Sequence, residues 1–263
     1  MTDYLLRTDL TTRLNEPDDV RVLDWAPGDQ AATIQTGETG PEFFAGWRPP
    51  RPTADLLLLG AGVYSTDKTT VRRTEPDGWT RRMRLRLPVA DPDTWAAAGW
   101  DTTLRFLTGD RWRIEAYPSG RHPLTGVRGV PTSQVGLDVD GVCLFSGGLD
   151  SLCGVVDLLE DDPDRRLCLL SHHEGGQAST AQQGLLDRLA GHYGPDRIVS
   201  RRLYLRPAPA NRRQARPLPP TRDNTTRSRS LLFLSVAHAL AAASGPDLPV
   251  YVPENGFIGV NAP

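Results

Sequence analysis

From residue 141 onward, short apolar runs alternate with longer stretches in which apolar residues recur every three or four positions. The runs predict strands over 141–145, 167–171, 198–205 and 250–252, and the amphipathic stretches predict helices over 152–159, 178–192 and 227–243. Strands separated by helices imply βαβ units, hence a parallel sheet with right-handed crossovers and an α/β fold. Ligands of such sheets bind beyond the carboxyl ends of the strands. That rule gathers residues 146–151, residues 172–177, the segment after Arg206, and Glu254 with Asn255 on one edge.

Residues 1–136 carry a different pattern. Strands are predicted over 55–64, 70–73, 79–87 and 111–117, separated by Pro, Gly and Asp turns, with one helical piece over 93–107. This predicts a small α+β domain over 1–136, with a Gly-, Pro- and Thr-rich linker over 118–135, ahead of the α/β domain over 137–263. A chain of 263 residues can bury one large core or two modest ones, and the break in pattern favours two. The segment Leu59-Gly60-Ala61-Gly62 imitates the start of a dinucleotide-binding fingerprint. Its third glycine is missing and no helix is predicted after it, so it is assigned no nucleotide role.

With 30 Lys and Arg against 32 Asp and Glu, the formal net charge is -2, and no global field draws the chain to nucleic acid or an anionic membrane. The opening Met1-Thr2-Asp3-Tyr4-Leu5-Leu6-Arg7 lacks the apolar core of a signal peptide, and no apolar run approaches a membrane span. A cytoplasmic protein without a membrane partner is expected. The three cysteines, Cys143, Cys153 and Cys168, suit a reducing compartment, and burial as small hydrophobes is expected of Cys143 and Cys153. Between Arg201 and Arg229, nine arginines face one acid, Asp223, and five prolines interrupt the middle. Residues 207–221 are therefore expected to form a mobile loop at the ligand edge, of the kind that serves as a lid, with a solvated insertion as the alternative. Contact with nucleic acid is disfavoured, because Tyr204 is the one aromatic there that could stack a base.

The densest chemistry lies where Val142-Cys143-Leu144-Phe145 runs into Ser146-Gly147-Gly148-Leu149-Asp150-Ser151. Gly147 and Gly148 lack Cβ atoms, so their backbone can turn sharply and bring N–H groups against a ligand. The helix that follows adds its positive dipole end. Ser146 and Ser151 add hydroxyls, and Asp150 can hold the accompanying Mg²⁺. The turn reads as a polyphosphate cradle. A Walker A loop is ruled out, since it needs a lysine and the only one, Lys68, stands in Thr66-Asp67-Lys68-Thr69 without the required glycines. Arg227 and Arg229 fall in the first turn of the helix over 227–243, where the dipole disfavours a cation by about 0.3–1 kcal/mol. A bound triphosphate would offset that cost, with Ser230 adding a hydroxyl. His172-His173-Glu174 are expected to form a binding loop and not a metal site, because adjacent side chains on a strand end point apart. Glu254 and Asn255 are candidates to hold Mg²⁺ or the acceptor, or to form an Asx-type turn with Gly256.

Ser146 to Ser151 match the SGGxDS signature of the PP-loop ATP pyrophosphatases, the superfamily of GMP synthetase, asparagine synthetase and 7-cyano-7-deazaguanine synthase (QueC). Thr226-Arg227-Ser228-Arg229-Ser230, ahead of an apolar run, resembles a helix of that synthase. Val252-Pro253-Glu254-Asn255-Gly256-Phe257 resembles the last strand and substrate-side loop of QueC-like proteins in bacterial anti-phage defence operons. The resemblance covers about residues 137–263. It implies a Rossmann-like PP-loop domain that uses ATP and Mg²⁺ and splits ATP into AMP and pyrophosphate. A carboxylic acid of the 7-deazaguanine type would be adenylated for transfer to an amine, either ammonia or an amino group of a protein from the same operon. On this resemblance Asp150, Ser151 and Arg229 are the expected catalytic groups. Ser146, Gly147, Gly148, Leu149, Asp150, Ser151, Arg227, Ser230 and Gln177 are the expected nucleotide contacts, Gln177 because Gly176-Gln177 echoes an aromatic-Gly-Gln turn of the synthase. Glu254 and Asn255 are the expected substrate contacts, and Asp150 the Mg²⁺ ligand. The synthase's four zinc-binding cysteines have no counterpart, so zinc is not expected. The chain stops at Pro263, where such defence proteins usually continue, and activity is expected to need a further segment or a partner chain. A nucleotide-binding subunit of a defence complex without turnover is the alternative. A tRNA sulfur transferase is opposed by the absence of a CxxC pair.

Overall fold

A computed structural model describes residues 1–37, 42–175, 177–225 and 227–254. In chain order the elements are β1 (Thr2–Arg7), β2 (Arg21–Asp24), β3 (Ile34–Gln35), α1 (Arg51–Thr69), β4 (Arg82–Val89), α2 (Pro92–Ala97), α3 (Trp100–Thr108) and β5 (Arg111–Pro118). There follow β6 (Gly141–Leu144), α4 (Leu149–Asp161), β7 (Leu167–His173), α5 (Gln177–Tyr193), β8 (Ile198–Tyr204), β9 (Arg206–Pro207), α6 (Arg229–Ser244) and β10 (Val250–Tyr251). The protein is α/β, with parallel sheets flanked by helices, as the alternation after residue 141 predicts. The predicted strands and helices of that half all form, shifted by one to a few residues at their ends.

The second sheet has the order β10-β6-β7-β8, and every pairing in it is parallel. The chain steps outward from β6 through β7 to β8, then returns to place β10 on the other side of β6. The strand order therefore switches direction at β6, and the crevice beyond the carboxyl ends at such a switch is the position where open parallel sheets bind ligands.

The first half departs from expectation. Its sheet, β2-β1-β4-β5, is also parallel throughout, so this half is built like the other and not as α+β. The strand predicted over 55–64 is the middle of helix α1. The reason is burial: α1 packs on β4 on one side and on α6 on another, and Leu57 through Asp67 are buried without a break. A helix covered all round loses the 3.6-residue stripe that would identify it. The two glycines of the imitation fingerprint serve this packing. A Cβ on Gly60 would lie 2.1 Å from Ser235 Oγ of α6, and one on Gly62 would lie 2.7 Å from Leu6 Cδ1 of β1. The strand predicted over 70–73 is replaced by a non-strand connection and a single 3-10 turn at Arg72–Thr74. The helix predicted over 93–107 is two helices, broken at Gly99, whose φ of +66° suits glycine. β1 and β2 have no counterpart in the prediction.

One apolar cluster runs from Leu6 and Leu85 through Val63, Leu232 and Val236 to Val142 and Leu170, so the α1–α6 pair lies between the two sheets. α6 turns Leu232, Val236 and Leu240 inward, whereas Leu234 is exposed. β3 and β9 pair antiparallel and lead into the Arg- and Pro-rich segment. That segment does not stand off as a solvated insertion: Gln214 and Leu218 are buried, and the Arg216 guanidinium donates to the carbonyls of Pro17 and Val20 at 2.6 and 2.8 Å. Among the described residues, no helix is long and apolar enough to cross a membrane.

Candidate functional site

β6 delivers the Ser-Gly-Gly-Leu-Asp-Ser turn into the crevice. Phe145 continues the strand, its N–H donating to Leu170 O at 2.8 Å, and Gly147 then takes φ +82°. Gln182 of α5 supports this bend from beneath, donating from Nε2 to the carbonyls of Phe145 and Ser146 at 3.2 and 3.1 Å. A Cβ at Gly147 would meet the Gln182 side chain at 3.4 Å. The Ser151 hydroxyl accepts from Gly147 N–H at 3.2 Å and donates to Gly148 O at 2.9 Å, so the turn is folded by its own last residue. Ser146 Oγ accepts from Gly148 N–H at 3.3 Å and lies 3.1 Å from Ser151 Oγ. Among the described residues, no side chain caps the N-terminus of α4. At the end of this turn, α4, a helix of 13 residues, begins with backbone N–H groups that have no intrahelical partner. Ser151 is buried, while Leu149 and Asp150 are exposed on the first turn.

Opposite the turn is a cavity of about 340 Å³. Ser146 and Gln182 line it from the loop side, and Arg229 from the start of α6. Its floor is the end of β7, where His172, His173 and Glu174 lie, and α1 adds Tyr64 and Lys68. Arg229 donates to His172 O at 2.9 Å and lies over the Phe233 ring, and its Nε has no partner among the described residues. His172 is 2% exposed; its Nε2 lies 2.9 Å from Leu205 O, which selects the Nε2–H tautomer and leaves Nδ1 an acceptor without a partner among the described residues. Burial drives the His172 pKa down to about 4, and Arg229 pushes it the same way, so the ring is neutral at pH 7. His173 is also lowered by burial and by Arg202; its Nδ1 lies 3.1 Å from Ser179 Oγ. Burial raises the Glu174 pKa, but the hydrogen bond from Tyr64, the Lys68 ammonium and His172 outweigh it and hold Glu174 below its ordinary value. Burial first, then the bond to Glu174, raises the Tyr64 hydroxyl.

The cavity thus unites Ser146 and Arg229 with His172, His173 and Glu174 of the expected binding loop, and the turn from Gly147 to Ser151 borders the same edge. Arg227 is not brought there. It precedes the helix, donates to Thr108 O at 2.8 Å, and stacks 4.4 Å over Trp79 in the first half of the chain. Ser230 is exposed and does not line the cavity. Gln177 begins α5, and its side chain lies outside the described residues, as does Asn255 altogether. Glu254 is exposed beyond β10, next to Pro253, which packs against Gly154 of α4 so closely that a Cβ there would come within 2.5 Å. Tyr64, Lys68 and Gln182 were missed by sequence reasoning. Lys68 offered one signal, as the single lysine among 30 basic residues. Gln182 offered another, a polar residue on the inward face of an amphipathic helix.

Cys153 is exposed, against expectation, whereas Cys143 and Cys168 are buried and burial pushes both thiols up to about 12. Neither buried thiol is a nucleophile at neutral pH. Among the described residues, no group of three His, Cys, Asp or Glu side chains could hold a metal by itself. A Mg²⁺ that bridges phosphates needs only one or two protein carboxylates, so the exposed Asp150 at the turn fits that role. No protein-family model, curated protein or solved structure matches the chain.

Proposed function

We propose that the chain binds ATP through the Ser146–Ser151 turn and transfers its adenylyl group to a carboxylic acid, releasing pyrophosphate. The observation that carries this is the coincidence of a glycine turn, an uncapped helix N-terminus and the Arg229 guanidinium at the carboxyl edge of a parallel sheet. The Gly147 and Gly148 amides and the Ser146 hydroxyl exchange their internal bonds for phosphate oxygens. Gln182 holds the turn in its bent form throughout. Asp150 is the residue to hold Mg²⁺, which, when bound, neutralises charge on the phosphate chain.

A deprotonated carboxylate oxygen attacks the α-phosphorus, and the bond from that phosphorus to the oxygen bridging toward the β-phosphorus breaks. Pyrophosphate leaves with the electron pair, and no side-chain nucleophile or proton transfer is required. The loop amides and Arg229 lower the barrier by stabilising the charge that accumulates on the leaving group. An amine then attacks the acyl carbon, loses a proton and releases AMP. A 7-deazaguanine-type acid heads the panel to be tried, because of the resemblance of residues 137–263 to QueC-like proteins.

With ATP, Mg²⁺ and a panel of acids, the products should be AMP and pyrophosphate. Release of ADP and phosphate would overturn the proposal. Asp150→Ala should reduce turnover by about 100-fold or more while leaving the melting temperature within a few degrees, as expected for an exposed residue whose charge is used in the reaction.

A further inference from the structure

Beside the cavity of Ser146 and Arg229 lies a second one, of about 400 Å³, and the two have Lys68 and Glu174 in common. Lys68 Nζ is 3.3 Å from Glu174 Oε1, so this ion pair, carried by α1 and the end of β7, is the partition between them. Arg206, Arg222 and the rings of Pro207, Pro209 and Pro220 form the remaining wall. Among the described residues, the Arg222 guanidinium donates only to backbone carbonyls, those of Pro219, Thr221 and Ala208. Arg206 donates from Nε to Gln35 Oε1 at 3.2 Å and stacks 5.2 Å over Tyr204. Among the described residues neither arginine makes an ion pair with a carboxylate. Burial, and then the proximity of Arg206, lowers the Arg222 guanidinium pKa. The wall therefore holds three cations and one acid, and that acid is already engaged by Lys68 and Tyr64.

Paired guanidiniums without a carboxylate, set among proline rings, match a flat molecule that carries anionic or carbonyl oxygens. We propose that this second cavity binds the acid substrate, with the reacting carboxylate at Lys68 and a second acceptor oxygen between Arg206 and Arg222. The role rests on the adenylation reading, since the partition is where an acid in one cavity meets ATP in the other. Lys68 offsets the repulsion between a carboxylate and the phosphate chain, and Glu174 holds the ammonium in place until the acid arrives. Arg206 and Arg222 set specificity by demanding a second oxygen across the ring.

The test uses the full chain and two probes, isophthalate, with two carboxylates on one ring, and benzoate, with one. By calorimetry without ATP, isophthalate should bind about tenfold or more tightly than benzoate, the scale of charge-assisted hydrogen bonds to arginine. In the Arg206→Gln/Arg222→Gln variant that difference should vanish, while ATP affinity stays within about twofold of wild type. Lys68→Met should weaken both probes. Equal binding of the two probes, or an unchanged preference in the double variant, overturns the assignment. Arg222 also holds the Ala208 and Pro219 carbonyls, so each variant is melted alongside; should the double variant melt low, Arg206→Gln alone decides. If no acid releases pyrophosphate yet isophthalate binds as described, the anion site stands and the adenylation reading fails.

Discussion

His172 shows how much one side chain is asked to do at the edge of the second sheet. It hydrogen-bonds Leu205 O, contacts the rings of Tyr64 and Phe233 edge-on, and offers its carbonyl to Arg229. Being buried, it must stay neutral. The unfolded chain takes up a proton at this residue near pH 6.5, whereas the folded protein resists until about pH 4. Stability should therefore fall as pH drops through that window, by about 3 kcal/mol from this residue, and level off below it. Urea unfolding between pH 7 and pH 4 checks this. His172→Phe should be less stable at pH 7 but lose less on acidification, whereas parallel pH curves would remove His172 as the cause. At this scale the sequence announced the turn residues, because Gly and Ser carry their preferences locally. It misplaced Arg227, whose position depends on Trp79 and Thr108, more than 100 positions away.

Helix α1 carries the lesson at the scale of elements. Its run of Leu57, Leu58, Leu59, Ala61 and Val63 reads as a strand because a buried strand and a helix buried all round share the same unbroken apolar pattern. The helix is confirmed by what its glycines do: at Gly60, α6 comes close enough to exclude any side chain. Gly60→Ala should destabilise by about 1–3 kcal/mol through overpacking, although alanine is the better helix former by about 1 kcal/mol. Combining it with Ser235→Ala removes the atom at 2.1 Å and should recover part of the loss, read as a favourable coupling in a double-mutant cycle. Helices α4 and α5 were legible in advance, because each has a half-exposed face and keeps its period.

Over the whole molecule, the first sheet and α1 are tied to the start of α6 by a buried charge network as well as by the α1–α6 contact. Arg81 is fully buried; it pairs with Asp67 and Asp110, and donates to Asp67 O and Thr70 O, both at 2.7 Å. Asp110 also takes two hydrogen bonds from Arg72. Asp67 in turn accepts from the backbone N–H and hydroxyl of Ser228, immediately before Arg229. Arg81→Met should cost about 3–5 kcal/mol, because it leaves the buried Asp67 carboxylate without its cation, while Asp110 keeps Arg72. Because Asp67 anchors the start of α6, ATP affinity should weaken as well. Urea midpoints and ATP titrations of the same variant read the two effects separately.

The local order of residues dictated the α/β alternation after residue 141 and the Ser-Gly-Gly-Leu-Asp-Ser turn at its first crossover, since both depend on short-range periodicity and on the backbone freedom of glycine. The tertiary structure alone decided that the first half is a parallel sheet, that Tyr64 and Lys68 enter the cavity of Ser146 and Arg229, and that Arg227 does not. Those outcomes follow from packing between segments a hundred residues apart, where burial on all sides erases the periodic signal and an ion pair such as Lys68–Glu174 leaves no trace in sequence spacing.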